Sequence, residues 1–392
     1  MTDDAVCRDY SDGGITAPGS GVLLESRMIS CRQTNAWLSS ETPCPAWDDF
    51  LRGCKRGQFQ QSSLWAQAKP IEGWKNFRVI FEQGEGICGG FQVLWRPTRF
   101  GSVGFVNKGP VLSFEEPEKV EFSLDLLHRV IQTYQLMALI VQPPDETQLF
   151  GSGLATRGFV PDPLTNVISS TCMVDLTGSC GAWETGIRQS RKVEIRQAIR
   201  RGVTIREGGD ADIPKFFSLM SATCVRQRVP PHPASVEALR DLVRAFQPRG
   251  EVRLSFADYH GETIAGQLDL KFGRRATTWK KGWNGAHPNL HPNALLAYES
   301  LRWAERLGCE CLDFAGMDRS LAESLSAQGP LTEAQKMGRD MFNLGFGAKP
   351  RLLPRAVIYW RNPLLRFAHS QAVAWPWAAN RLAGLAKRLA SS

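Results

Sequence analysis

Two lysines and two aspartates lie in the second half of the sequence, close to elements that we expect to border a cleft. Lys280 and Lys281 lie near the end of a β-rich run, just before a loop rich in Gly, His, Pro and Asn. Adjacent residues of a strand face opposite sides of a sheet, so at most one of these lysines can point into that cleft. Asp313 and Asp318 follow the next predicted helix, where a carboxylate could act as a base or orient an amine. A buried or helix-capping role is the structural alternative for each aspartate.

The segment 252–318 contains the elements that would position these side chains. Two β-rich runs, Val252–Tyr259 and 263–272, are joined by a glycine-containing connection of hairpin length. A third run, 276–283, ends in the polar loop, and Asn293 offers a side-chain oxygen to the start of an amphipathic helix over 294–307. A short buried strand follows, so the predicted order is β-β-β-α-β. This order resembles the acyl-transfer core of the GNAT N-acyltransferases.

The first half of the chain repeats this order. Residues 77–82 and 87–95 form a second predicted hairpin, which is followed by a strand, a helix, a strand and another helix. Gly90 and Gly266 occupy the same place in the returning strands of the two hairpins. A duplicated α/β unit with mixed sheets is the simplest explanation.

The composition is that of a globular chain with an anionic partner. The 392 residues predict two or three domains, and no apolar run approaches the roughly 18 residues that span a membrane. A net charge of +8 suggests nucleic acid, a phosphorylated substrate or a membrane surface, without choosing among them. The ten cysteines lack a CxxC pair, which favours buried thiols over disulfides or metal ligands. No secretory signal is visible, so a cytoplasmic protein is expected.

The strongest charge feature lies between the two repeats, in residues 183–206. Seven basic side chains stand there against two acidic ones. On a helix, Lys192, Arg196 and Arg200 recur at i, i+4 and i+8 beside the apolar pair Ile195 and Ile199. Such a stripe would suit a tRNA or another polyphosphate, and a solvated helix face is the alternative.

Several segments, taken in order, resemble the Fem-type (FemAB-like) aminoacyl and peptidyl transferases. The resemblance covers about 59–365. Members of this family have two tandem GNAT-like domains. The members that act on peptidoglycan move an amino acid from aminoacyl-tRNA to an amine on a nucleotide- or lipid-linked muropeptide. The segments that carry it are residues 61–69, Lys108-Gly109-Pro110, the basic helix ending Arg200-Arg201-Gly202-Val203, Pro292-Asn293 with its helix, Asp313-Phe314-Ala315-Gly316 and Gly345-Phe346-Gly347.

The resemblance implies roles for individual residues. Lys69 and Arg226 fall where the family uses a lysine and an arginine on the acceptor's diphosphate, although each could also end or decorate a solvated helix. Asn343 stands where relatives carry a lysine that steadies the reacting carbonyl, two residues before Gly-Phe-Gly. Asparagine can donate a hydrogen bond to an oxyanion but brings no charge. We therefore expect Lys280 or Lys281 to supply the missing cation.

Together these observations predict an N-acyl (aminoacyl) transferase that forms an amide on an amine-bearing, phosphate- or lipid-linked acceptor of the cell envelope or of natural-product synthesis. Aminoacyl-tRNA is the expected donor, with no cofactor and no metal. One alternative is an acyl-CoA- or acyl-carrier-dependent N-acyltransferase of exopolysaccharide synthesis, although the usual Gln/Arg-x-x-Gly-x-Gly/Ala loop is missing. A non-catalytic RNA- or membrane-binding module is the other.

We expect four regions along the chain: a mobile leader over 1–40, a first GNAT-like domain over 41–170, a second over 171–361 and a basic, aromatic helical tail over 362–392. The tail mixes Trp375, Trp377 and several leucines with arginine and lysine, which is the composition of an interfacial helix. This predicts weak, salt-sensitive contact with anionic lipid at the inner membrane surface. Docking of the tail on the first domain is the alternative.

Overall fold

Two mixed sheets organise the protein. The computed structural model describes residues 22–374, apart from positions 30, 31, 85 and 166. The first sheet is formed by β1 (Val22–Ile29), β2 (Arg32–Ser39), β3 (Lys75–Gln83), β4 (Gly86–Thr98), β5 (Gly101–Asn107), β6 (Val111–Leu112), β7 (Leu136–Gln142), β8 (Val160–Pro161) and, from near the end of the chain, β16 (Val357–Trp360). Its order is β1-β2-β3-β4-β5-β7-β16-β8, with β6 beside β4.

The second sheet has the order β10-β11-β12-β13-β14-β9-β15. Its strands are β9 (Ser170–Asp175), β10 (Thr204–Glu207), β11 (Val252–Tyr259), β12 (Glu262–Phe272), β13 (Arg275–Trp283), β14 (Cys311–Asp313) and β15 (Lys349–Leu352). The helices are α1 (Pro45–Gly53), α2 (Ser63–Gln67), α3 (Pro117–Thr133), α4 (Phe150–Thr156), α5 (Gln189–Arg200), α6 (Ile213–Gln227), α7 (Val236–Phe246), α8 (Pro292–Arg306), α9 (Arg319–Ser326), α10 (Glu333–Lys336), α11 (Asp340–Leu344) and α12 (Pro363–Ala374). None of these helices is long and apolar enough to cross a membrane.

The internal repeat is confirmed by strand pairing. The units β3-β4-β5-α3-β7 and β11-β12-β13-α8-β14 each begin with three antiparallel strands. In each, the last strand then runs parallel to the third. The α/β fold class with mixed sheets is therefore correct.

The two units differ at their parallel pair. In the first, β5 is paired with β7 from Ser102 to Asn107. In the second, β13 is paired with β14 only at Arg275, Ala276 and Thr277, and it then continues to Trp283 paired with β12 but not with β14. A split between β13 and β14 is therefore open beyond Thr277.

A bulge in β13 sets the direction of its last side chains. Leu268 of β12 is opposite Lys280 and Asp269 is opposite Thr278, so Trp279 is the extra residue. Gln267 is opposite Lys281, which places Lys281 on the same face of the sheet as Asp269. Lys280 faces the other way, as strand alternation predicts.

Apolar side chains join the two units. The largest shared cluster contains residues of both, and it includes Trp65 against Trp279, with ring centroids 5.8 Å apart, and Phe59 against Phe246, at 6.4 Å. The two units are therefore held together by a common apolar core.

Several sequence-based boundaries are corrected by the structure. Residues 22–29 and 32–39, assigned to a mobile leader, form β1 and β2 because buried Ala36 and Leu38 join the first core beside β3. Strand β16, assigned to the second domain, pairs with β7 of the first sheet. Helix α8 starts at Pro292 with His291 before it, so Asn293 is not its cap. Residues 375–392 of the predicted tail lie outside the described residues.

Candidate active site

Lys281 projects from the free end of β13 into an aromatic box. Its Nζ donates to Asn343 Oδ1 at 3.0 Å. The same ammonium lies 4.9 Å from the ring centroid of Phe314 and 5.4 Å from that of Phe342. Burial lowers the pKa of Lys281 to about 8. The split thus holds an ammonium group that loses its proton more readily than a lysine in water does.

Beneath Lys281 a buried polar network fixes the strand against α8. Asp269 is fully buried and accepts hydrogen bonds from Ser300 Oγ at 2.5 Å, Thr278 Oγ1 at 2.9 Å and Gln267 Nε2 at 3.0 Å. Burial raises the pKa of Asp269 despite these donors. Because its members satisfy one another, the network holds β12, β13 and α8 in one arrangement.

Lys280 lies on the side of β13 nearest the first unit, where it is influenced by the charges of Lys69 and Glu72. Its ammonium lies 5.0 Å from the ring of Trp279, which packs edge-on against Trp65. The Lys69 ammonium lies 4.3 Å from the centroid of the Trp65 ring. Burial lowers the pKa of both lysines. Two cations therefore lie against one pair of tryptophans, and of these only Lys69 was assigned to the acceptor from the sequence.

Lys69 and Arg226 have separate anchors. Lys69 is buried and its Nζ lies 2.9 and 3.0 Å from the Glu72 carboxylate oxygens. Arg226 of α6 donates to the carbonyl of Trp283 at 2.6 Å and stacks on the Trp283 ring at 5.1 Å. In the described part of the chain no contact joins Lys69 to Arg226, so a ligand would have to span them.

For both candidate aspartates the structure favours the structural alternative. Asp313 is buried, accepts hydrogen bonds from Thr171 Oγ1 and from the backbone N–H of Ala315, and lies 3.7 Å from Arg275. Burial raises the pKa of its carboxyl group. Asp318 caps α9 by accepting from Leu321 N at 2.8 Å, and it also accepts from Ser320 Oγ, which lowers its pKa. Both carboxylates are engaged away from the Lys281 amine.

A cavity of about 500 Å³ opens beside Phe342 and carries four cations. Its lining is formed by Arg188, Ser190, Arg191, Lys336, Met337, Gly338, Arg339, Met341, Phe342 and Gly345. A smaller cavity of about 180 Å³ shares Arg191 and Phe342 with it and reaches Trp283 and the start of α8. The two cavities therefore share Phe342, which is one of the two rings beside Lys281.

The cavity cations are partly neutralised. Arg191 pairs with Glu194, Lys336 with Glu333 and Arg339 with Asp340. Within the described residues the side chain of Arg188 has no such partner, so the cavity keeps an excess of positive charge. Sequence analysis included Arg188 and Arg191 only in the basic run, and it missed Lys336 and Arg339 because they belong to a distant segment without periodicity.

The predicted stripe on α5 lies further along the same helix. Lys192 is half-buried, and Arg196 and Arg200 are exposed, with Arg196 Nε donating to the Lys192 carbonyl at 3.2 Å. Ile195 is buried as expected, but Ile199 is 56% exposed. The cavity is lined by the residues at the start of α5 and not by the stripe.

Fold and sequence comparisons define the class of protein. Residues 188–320 match an acetyltransferase (GNAT) domain, and residues 44–157 match the FemAB family. The crystal structure of FemX superposes with a TM-score of 0.71 at 14% identity, covering 85% of this chain and 100% of that chain. The protein is thus built from two tandem GNAT-like domains. The match of residues 44–157 to the FemAB family confirms the resemblance seen in the sequence.

Two similar curated proteins share one name. The lipid II:glycine glycyltransferase of Staphylococcus saprophyticus is 20% identical over 221 residues, covering 53% of this chain and 53% of that protein. The enzyme of the same name from Staphylococcus aureus is 20% identical over 188 residues, covering 45% of each. The chain therefore spans about half the length of the curated relatives it matches.

Proposed function

We propose that this protein is an N-acyl (aminoacyl) transferase that forms an amide bond. The observation that carries the proposal is the Lys281 ammonium, held on Asn343 in the open split between β13 and β14 and next to a cation-lined cavity. Similarity to proteins named lipid II:glycine glycyltransferase supports the same type of reaction.

The reaction is aminolysis of an activated ester. The lone pair of the acceptor amine attacks the carbonyl carbon, a tetrahedral oxyanion forms, the carbon–oxygen bond of the carrier ester breaks, and the amine loses one proton as the carrier hydroxyl gains one. Lys281 donates an N–H to the oxyanion, and the Asn343 amide offers a second donor beside it. A lysine with a pKa of about 8 is still mostly an ammonium at neutral pH. The two cavities bring donor and acceptor together, which lowers the entropic part of the barrier.

The donor is proposed to be aminoacyl-tRNA. The four cations of the larger cavity suit the phosphates next to an RNA 3′ end, because phosphate contacts supply affinity without reading sequence. An acyl-CoA donor would meet the same cations, but the chain lacks the glycine-containing pyrophosphate loop before α8. The donor is therefore the first variable to test.

The acceptor is proposed to be an amine on a phosphate- or lipid-linked precursor of the cell envelope. Lys69 and Lys280 lie beside the Trp65–Trp279 pair where the two units meet, and Arg226 contacts Trp283 at the end of β13, so three cations are available to a phosphorylated acceptor. A diphosphate there would compete with Glu72 for Lys69. The proposal places the enzyme in the cytoplasm, at the inner surface of the membrane where a lipid-linked acceptor is presented.

Donor competition tests the proposal. The full chain is incubated with an amine-bearing lipid-linked diphosphate acceptor and either charged total tRNA or a mixture of acyl-CoAs, and products are identified by mass spectrometry. An aminoacylated acceptor that forms only with charged tRNA, and that disappears with Lys281→Met, is the expected result. Acylation from CoA alone would replace the donor assignment. No product from either donor would favour a non-catalytic RNA- or membrane-binding module.

A further inference from the structure

One end of the first sheet gathers three connections. The β4–β5 turn lies there because Thr98 is opposite Gly101, and the start of β7 lies there because Ser102 is opposite Leu136. The end of β16 joins them, since Ala138 is opposite Trp360. Helix α12 starts directly after β16, so its first turn belongs to the same end of the molecule.

This end exposes large apolar side chains beside arginines. Phe100 in the β4–β5 turn is 62% exposed, and Leu364 and Phe367 of α12 are 76% and 64% exposed. The Arg99 guanidinium lies 4.6 Å from the Phe100 ring, and Arg361 reaches Gln135 in the connection to β7. Two strand spacings, about 10 Å, separate β5 from β16. The exposed apolar side chains therefore lie towards the same end of the first sheet.

The buried side of α12 determines which of its side chains face solvent. His369 and Ala372 are buried, with His369 Nε2 3.3 Å from Asp162 Oδ1 and its ring 5.8 Å from that of Trp360. Leu364 and Phe367 are three residues apart, so they share one side of the helix. The docking of α12 on the first sheet thus holds both side chains towards solvent.

The charge of this part of the sequence points to an anionic surface. Residues 361–392 contain five basic residues and no aspartate or glutamate. Mixed leucine, aromatic and basic residues bind best where a hydrocarbon layer lies under negative headgroups. A protein partner would need acidic groups placed opposite individual arginines. An anionic bilayer needs only a net positive charge on the protein.

We infer that the Phe100–Phe367 surface, defined as Arg99, Phe100, Arg361, Leu364 and Phe367, docks on an anionic lipid bilayer. The inference deepens the proposed function, because it names the surface from which a lipid-linked acceptor enters the cleft.

Lys69 lies towards the same end of the sheet. Strand β3 starts there, with Lys75 opposite Trp95, and the backbone N–H of Trp74 bonds to the Lys69 carbonyl at 3.3 Å. Four strand spacings, about 19 Å, separate β3 from β16. The phosphate of a lipid-linked molecule is the polar group nearest the bilayer, so this end of the sheet is where Lys69 could reach it.

Vesicle sedimentation of the full chain tests the inference. The probes are vesicles of phosphatidylglycerol mixed with phosphatidylcholine and vesicles of phosphatidylcholine alone. Removing both rings with Phe100→Ser and Phe367→Ser should lower the partition coefficient on anionic vesicles by roughly tenfold or more. Phe114→Ser is the matched control, because Phe114 is 72% exposed and follows β6, which pairs with the opposite end of β4. This control should bind like the unchanged protein, and added salt should weaken binding of both.

Several results would overturn the inference. They are no binding by the unchanged protein, equal binding to neutral vesicles, or an equal loss in the Phe114→Ser control. Binding lost only when Arg381, Lys387 and Arg388 are changed to Gln would assign the contact to later residues. A change of oligomeric state in the double variant, with vesicle binding intact, would assign the surface to a second copy of the chain.

The test is independent of the transferase proposal. Vesicle binding is measured without donor or acceptor, so a failed transfer assay leaves it untouched. If transfer occurs, the double variant should keep its rate on a water-soluble diphosphate acceptor and lose rate only on acceptor embedded in vesicles.

Discussion

Lys281 occupies a position where burial of a lysine lowers the stability of the fold. Its ammonium lies between Phe314 and Phe342 and keeps one hydrogen bond, to Asn343. Burial of a cation with so few partners costs stability, as the lowered pKa records. Such a group is retained at functional sites more often than in ordinary cores. We propose that the Lys281–Asn343 pair supplies a cation and an amide where the family resemblance implies a lysine at position 343.

Removing the Lys281 cation should impair the chemical step selectively. We expect Lys281→Met to lower kcat by roughly 10²–10³, the range for a single oxyanion donor. Lys280→Met is the matched control: it lies on the opposite face of β13, so its kcat should stay near normal while the KM for the acceptor rises. Adding Asn343→Lys to Lys281→Met should restore part of kcat. Steady-state kinetics that show equal losses of kcat in both single variants would contradict the assignment.

The pH profile gives a second measure of the same group. The folded pKa of Lys281 is lowered to about 8, so the ammonium is lost as pH rises through that value and kcat should fall there. Lys281→Arg keeps its charge at all accessible pH values and should remove this limb. A limb near pH 8 that persists in Lys281→Arg would assign the titration to another group.

Individual residues were predictable only where a local rule applied. Alternation along a strand separates Lys280 from Lys281, but the bulge at Trp279 that selects Lys281 for the split has no sequence signal. The capping of α9 by Asp318 follows a local rule. The burial of Asp313 against Thr171 depends on residues far apart in the chain, so sequence could offer it only as an alternative.

At the scale of elements, the repeated units were predictable because each strand and helix has its own periodicity. Strands β11 and β13 and helix α8 lie within a residue or two of the predicted bounds. Strand β2 was missed because Thr34, Asn35 and Ser39 interrupt its apolar pattern, and its order comes from pairing with β3. Strand β16 was placed with the wrong unit because a strand of four residues does not specify its partner.

Helix α5 and the segment around α11 meet at the larger cavity, which allows two sets of cations to be compared. Arg188→Gln with Arg339→Gln should raise the KM for charged tRNA by roughly tenfold or more and reduce its salt dependence, because two phosphate contacts are lost. The matched control is Arg196→Gln with Arg200→Gln on the exposed part of α5, which should change KM little. The reverse pattern would return donor binding to the predicted stripe that includes Lys192.

The whole molecule is joined by a buried ion network that sequence could not reveal. Lys108 Nζ lies 2.7 Å from Asp145 Oδ1, and Arg275 Nη1 lies 2.8 Å from Asp145 Oδ2 and 3.7 Å from Asp313. Burial alone would raise the pKa of Asp145, but the two cations hold it below its usual value. Two members come from each unit and are separated by up to two hundred residues, so no periodicity links them. The network also fixes Arg275 at the point where β13 begins its run towards the split.

Breaking this network should destabilise the protein as a whole. Arg275→Met leaves the Asp145 and Asp313 carboxylates without their shared cation, and removal of one partner of a buried ion pair costs about 3–5 kcal/mol. Arg274→Met is the control, because Arg274 is exposed and pairs with Glu310 at 2.8 Å, a surface contact worth about 0–1 kcal/mol. Urea unfolding followed by circular dichroism and by tryptophan fluorescence measures both free energies. Since the cluster around Trp65 and Trp279 spans the units, the unchanged protein should give coincident transitions with the two probes. If Arg275→Met and Arg274→Met proved equally stable, the network would not be what holds the two units together, and the apolar core between them would carry that role alone.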